Sequence, residues 1–75
     1  MLQIRFGYST NPKAIVVKGE DTVQSLCQTH HLQADNCIIN HNGLPLSVDE
    51  LTMEFSDLGV ETGDSIIIVT KTNAA

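Results

Sequence analysis

The chain has 75 residues, 41% of them hydrophobic and 4% aromatic, and nine acidic against four basic side chains leave a net charge of -5. One small domain fits that length. Its folding has to overcome roughly 110 kcal/mol of conformational entropy, so nearly every strong apolar residue is needed in the core and little chain remains for a catalytic cleft. The acidic balance offers no footprint for nucleic-acid phosphates and disfavours an anionic membrane surface. Apolar runs such as Ile66–Val69 fall far short of the ~20 residues that span a bilayer. Leu2-Gln3-Ile4-Arg5-Phe6 has neither the basic flank nor the apolar stretch of a secretory leader. Two cysteines are too few for the disulfide framework of a small secreted domain. The expectation is a reduced, cytoplasmic monomer.

Leu2, Ile4 and Phe6 alternate with Gln3 and Arg5, the period of a half-buried strand. Turn residues fill Gly7 to Pro12, and Ala14–Val17 is a second strand, so the two form an antiparallel hairpin. Asp21 or Thr22 caps a short helix whose apolar stripe is Val23, Leu26, Cys27 and His30, with its exit at Asp35-Asn36. Cys37–His41 reads as a third strand closed by the Asn42-Gly43 turn, and Leu44-Pro45-Leu46 as a brief edge strand. Ser47 to Gly59 is irregular or a helical turn that offers Leu51, Phe55 and Leu58, and then Val60, to the core. Thr62-Gly63-Asp64 turns into Ser65–Thr70, whose apolar residues on both faces mark a central strand. These elements make a two-layer α+β roll: a mixed four- to five-stranded sheet with one helix across one face. Residues 1–71 form the domain and 72–75 a flexible tail.

This order, together with Asp21-Thr22 at the helix start and Glu54-Phe55-Ser56-Asp57-Leu58-Gly59-Val60 before the last strand, resembles the ubiquitin-like β-grasp family. Asn42-Gly43-Leu44-Pro45-Leu46 and Gly63-Asp64-Ser65-Ile66 are also similar to the sulfur carriers of thiamin and molybdopterin synthesis, which share that fold. The resemblance spans essentially the whole chain. It implies a turn-capping role for Asp57. It also implies one of two functions. Members of the family bind protein partners through the outer sheet face, and others are activated at a C-terminal Gly-Gly by an ATP-dependent activating enzyme. Here Ala74-Ala75 stands where the resemblance places those glycines, by nature or by replacement. A methyl group removes the close approach and φ freedom of glycine, although alanine also ends in a carboxyl group.

Cys27-x-x-His30 and Cys37-x-x-x-His41 have local zinc-ligand steps, but the spacer between the halves is short and one half lies on a helix, the other on a strand. A buried core cysteine with surface histidines accounts for the same residues. A Cys/His nucleophile lacks an orienting third group and a cleft, and a Cys27–Cys37 disulfide is disfavoured by the compartment. No metal, cofactor or catalytic residue is therefore assigned. Asp49, Glu50, Glu54, Asp57, Glu61 and Asp64 form an acidic stretch, read either as a solvated face or as a docking patch for a basic partner.

The sharper expectation concerns the central strand. If Ile66 and Ile68 face the helix, Ile67 and Val69 face out. They form the core of a partner-binding patch, with Ile38 and Tyr8 as neighbours and His41 at the rim. The alternative is that the loop after Gly43 or the tail covers them.

Overall fold

The computed structural model describes residues 1–32 and 37–70. Strands β1 (Leu2–Tyr8) and β2 (Lys13–Val17) form the expected hairpin, followed by helix α1 (Val23–Thr29), β3 (Cys37–His41), β4 (Leu44–Pro45), a 3-10 turn at Asp49–Thr52, a single helical turn α2 (Phe55–Leu58), and β5 (Ser65–Thr70). The sheet order is β2-β1-β5-β3-β4. β1 and β5 run parallel at its centre, with Phe6 beside Ile66, and the outer pairings are antiparallel. Among the described residues no helix is long and apolar enough to cross a membrane.

The two faces of the sheet follow from its register. Leu2, Ile4 and Phe6 of β1, Ile15 and Val17 of β2, Ile39 of β3, and Ile66 and Ile68 of β5 all point to the helix side. Val23, Leu26 and Cys27 descend on them from α1, and Phe55 and Val60 close the end of the layer. Leu51 and Leu58 pack against this core from its margin, half-buried. Phe55, Val23, Ile66 and Ile68 have no exposed surface at all. At about 2 kcal/mol for each fully buried large aliphatic or aromatic side chain, this cluster is the main stabilising term.

Seven residues make α1 too short to persist alone, and both of its ends are tied. Thr22 is the N-cap: its hydroxyl accepts from the Ser25 amide, and the Ser25 hydroxyl accepts from the Thr22 amide, a reciprocal capping box. At the other end the Leu32 amide bonds the Cys27 carbonyl and the His31 amide bonds the Gln28 carbonyl, with His31 left-handed at φ 57. This is a Schellman motif with histidine where glycine is usual. The helix thus ends at Thr29. The expected exit at Asp35-Asn36 lies outside the described residues.

The same device ends α2, where Gly59 is left-handed and the Val60 amide returns to the Phe55 carbonyl. The free amides at the start of α2 are satisfied from the chain ahead of α1: Phe55 donates to the Asp21 carbonyl and Ser56 to the Gly19 carbonyl. Main-chain carbonyls thus hold the start of this turn, while Asp57 sits within it as a charge that suits the positive helix end.

Candidate functional site

The outer face of the sheet carries the candidate surface. Ile38 lies directly across from Val69, and Asn40 directly across from Ile67 on one side and Pro45 on the other. Paired residues on neighbouring strands share a face. Since Ile39, Ile66 and Ile68 point inward, Ile38, Ile67 and Val69 point outward together. Ile38 is 39% exposed, and Ile67 and Val69 are half-buried, so none of the three is sealed in. Gly7 sits beside Ile67 on β1 and contributes no side chain of its own to the patch. Its own space is taken by the hairpin turn, since a Cβ there would lie 3.3 Å from the Asn11 carbonyl oxygen.

Two of the expected neighbours belong elsewhere. β1 extends through Gly7, so Tyr8 falls in step with Ile4 and Phe6, pairs with Ile68, and packs against the core from the helix side. His41 is two residues beyond Ile39 and pairs with Ile66, which puts it at the helix-side end of β3. Both depart from the expected patch for one reason: side-chain parity along a strand, which a one-residue difference inverts. Ala74 and Ala75, on which the carrier alternative turns, lie outside the described residues.

The polar residue that sequence reading missed is Asn40, in the middle of the apolar face. Its Oδ1 is buried with no hydrogen-bond partner. Only the register of β3 against β5 reveals it, because period-2 reading of Cys37–His41 gives no sign of which residue stands beside Ile67.

A polar clamp closes one end of the sheet. The Asp64 Oδ2 lies 2.8 Å from the His41 Nε2 and accepts from the Glu61 amide at 2.9 Å. Asn42, left-handed at φ 53 in the tight turn to Gly43, accepts from the Ser65 amide through Oδ1 and donates its own amide to the Ser65 carbonyl. His41 first, then the Glu61 amide and Asn42, hold the Asp64 carboxyl well below the usual carboxylate range, at about 2. Glu50 is lowered too, because its Oε1 accepts from the Ser47 amide while the Ser47 hydroxyl accepts in return. Two members of the acidic stretch therefore have local structural partners. Asp49, Glu54, Asp57 and Glu61 are exposed.

The residues of the two cysteine–histidine steps sit in different settings. Cys27 is buried on α1, where burial and then the neighbouring Cys37 push its thiol up. His30 caps the helix with its ring 5.6 Å from that of Phe6, and His41 is engaged by Asp64. Among the described residues they form no cluster of three or more metal-ligating side chains.

No protein-family model matches the sequence, and no curated protein does so significantly. Solved structures do match. The ubiquitin of Caldiarchaeum subterraneum superposes with a TM-score of 0.68 over 99% of this chain and 98% of its own, at 22% identity. A ubiquitin-like domain from Arabidopsis thaliana gives 0.72 over 99% and 82%, at 16% identity. The C-terminal ubiquitin-like domain of mouse tubulin-specific chaperone e gives 0.68 over 99% and 90%, at 13%.

The chain has the ubiquitin-like β-grasp fold. Identities this low carry the architecture and assign no role to any residue. The role of this β-grasp domain has to be read from its own surface, where Ile38, Val69 and Ile67 form an outward apolar row beside the buried oxygen of Asn40.

Proposed function

We propose that this ubiquitin-like module is non-catalytic and binds a protein partner through the outer sheet face around Ile67, Val69 and Ile38. The observation that carries the reading is the pairing of Ile38 with Val69 beside Ile67, three aliphatic side chains turned away from a helix-side core that is already filled. Clustered exposed aliphatics mark interfaces more often than scattered ones do. The test is affinity capture from the native host with the wild-type chain and with Ile67→Asp/Val69→Asp. A partner retained by the wild type and lost by the double variant supports the reading; a partner retained equally by both removes it.

A second reading, a sulfur carrier or protein modifier activated at the Ala74-Ala75 end, draws on the nearly full-length match to an archaeal ubiquitin. Incubation with ATP and candidate activating enzymes separates the two. A mass increase at the C-terminus, as adenylate or thiocarboxylate, favours the carrier, and an unchanged mass favours the binding module.

A further inference from the structure

Asn42-Gly43 is the turn that joins β3 to β4, and an asparagine followed by glycine can react with its own chain. The backbone nitrogen of the next residue attacks the side-chain amide carbon, and glycine, with no Cβ, leaves that nitrogen unshielded. The chain has five asparagines, and the other four precede Pro12, Cys37, His41 and Ala74. Proline has no N–H to give up, and the other three carry a side chain beside the attacking nitrogen.

At the turn both reacting groups are accessible. Asn42 and Gly43 are exposed. No backbone carbonyl takes the Gly43 amide among the described residues, and a Cβ built on Gly43 would have nothing within 4 Å. What opposes the reaction is the hold on the side chain. The Asn42 Oδ1 accepts from the Ser65 amide at 2.8 Å, and the Asn42 amide donates to the Ser65 carbonyl at 2.9 Å. The carboxamide is thereby turned towards β5, and swinging it back over Gly43 breaks a bond that ties β3 to β5.

We propose that Asn42 is a self-modification site that becomes reactive only when this end of the β3–β5 ladder opens. The Gly43 nitrogen bonds to the Asn42 Cγ, its proton leaves with the amide nitrogen as ammonia, and a cyclic imide forms. Water then adds to one of the imide carbonyls and breaks its bond to nitrogen. Breaking the bond at Cγ leaves aspartate. Breaking the bond at the backbone carbonyl leaves isoaspartate, whose main chain runs through Cγ and is one carbon longer. The longer chain does not suit a two-residue turn, in which loop length fixes the register of His41 with Leu44. The aspartate puts a carboxylate where the Asn42 side chain helps to hold the Asp64 carboxylate, and like charges so placed repel. Either product weakens the hold that protected the site, so a domain that has once reacted here opens more readily afterwards.

The full chain is incubated at neutral pH, folded in buffer and unfolded in guanidinium chloride. Conversion of each asparagine is followed by peptide mapping against synthetic aspartate and isoaspartate standards. In guanidinium Asn42 is expected to lead the five asparagines, and in the fold its conversion is expected to be slower by about tenfold or more. Asn42→Asp is expected to melt below the wild type at neutral pH, with the gap closing as pH falls and the added carboxylate takes up a proton. The rate comparison uses the wild-type chain, so it stands whether or not that variant folds. Another asparagine leading in guanidinium, equal rates at Asn42 in the two states, or wild-type melting of Asn42→Asp at every pH would each overturn the proposal.

Discussion

The carboxylate of Asp64 fastens the end of β3 to the start of β5, with its Oδ2 2.8 Å from the His41 Nε2. Its carboxyl is lowered to about 2 in the folded protein, against about 3.9 for a free aspartate. A depressed folded pKa contributes stability that is fully present above the unfolded value and is lost as pH falls through the folded one. The melting temperature is therefore expected to drop between pH 4 and pH 2 more steeply in the wild type than in Asp64→Asn. The side chain is partly exposed and screened by water, so the difference at neutral pH is about 1 kcal/mol, or roughly 4–8 °C for a domain of this size. Superimposable curves for the two proteins would show that the clamp contributes nothing.

His31 holds the left-handed position that ends α1 at φ 57, a conformation in which a Cβ meets the following carbonyl. His31→Gly is expected to raise stability by about 0.5–1 kcal/mol, strain relief outweighing the added freedom of the unfolded chain. Urea unfolding measures it, and a lower midpoint for the glycine variant contradicts the assignment.

Ile38 and Ile39 are adjacent on β3 yet stand on opposite faces, 39% and 4% exposed. Ile39→Ala is expected to cost about 2–4 kcal/mol by opening the core, whereas Ile38→Ala costs under about 1 kcal/mol. Equal losses in denaturant unfolding would mean that the face assignment is inverted.

Asn40 costs the domain stability. Its Oδ1 is buried and unpartnered, and removing such a group by an apolar side chain of similar shape relieves a desolvation penalty of about 1–3 kcal/mol. Asn40→Leu is expected to stabilise the domain by about 1 kcal/mol in thermal or urea unfolding. A destabilised variant would show that the oxygen has a hydrogen-bonded role.

Much of this architecture was legible in the residues. The alternation of Leu2, Ile4 and Phe6, the Asn42-Gly43 turn, a helix cap at Asp21 or Thr22 and the apolar density of Ser65–Thr70 each act over a few neighbouring positions, where local chemistry decides. Face assignments depended on strand length instead. Gly7 carries a turn signal, which hides that Tyr8 keeps the parity set by Ile4 and Phe6. His41 likewise shares the parity of Ile39. The early end of α1 had no visible marker, since histidine at the left-handed position carries no signal that glycine would. The Ser47-x-x-Glu50 spacing carries a capping-box signature, and the structure forms it.

The parallel union of β1 with β5 joins Arg5 to Ser65, residues at opposite ends of the domain. During synthesis the hairpin and α1 leave the ribosome while one whole side of β1 still lacks its mate. Contacts this distant along the chain close slowly. The nascent hairpin therefore waits, with a bare ladder on each flank, until nearly all of the domain has been translated, and that interval is when chaperones or stray strands compete for it.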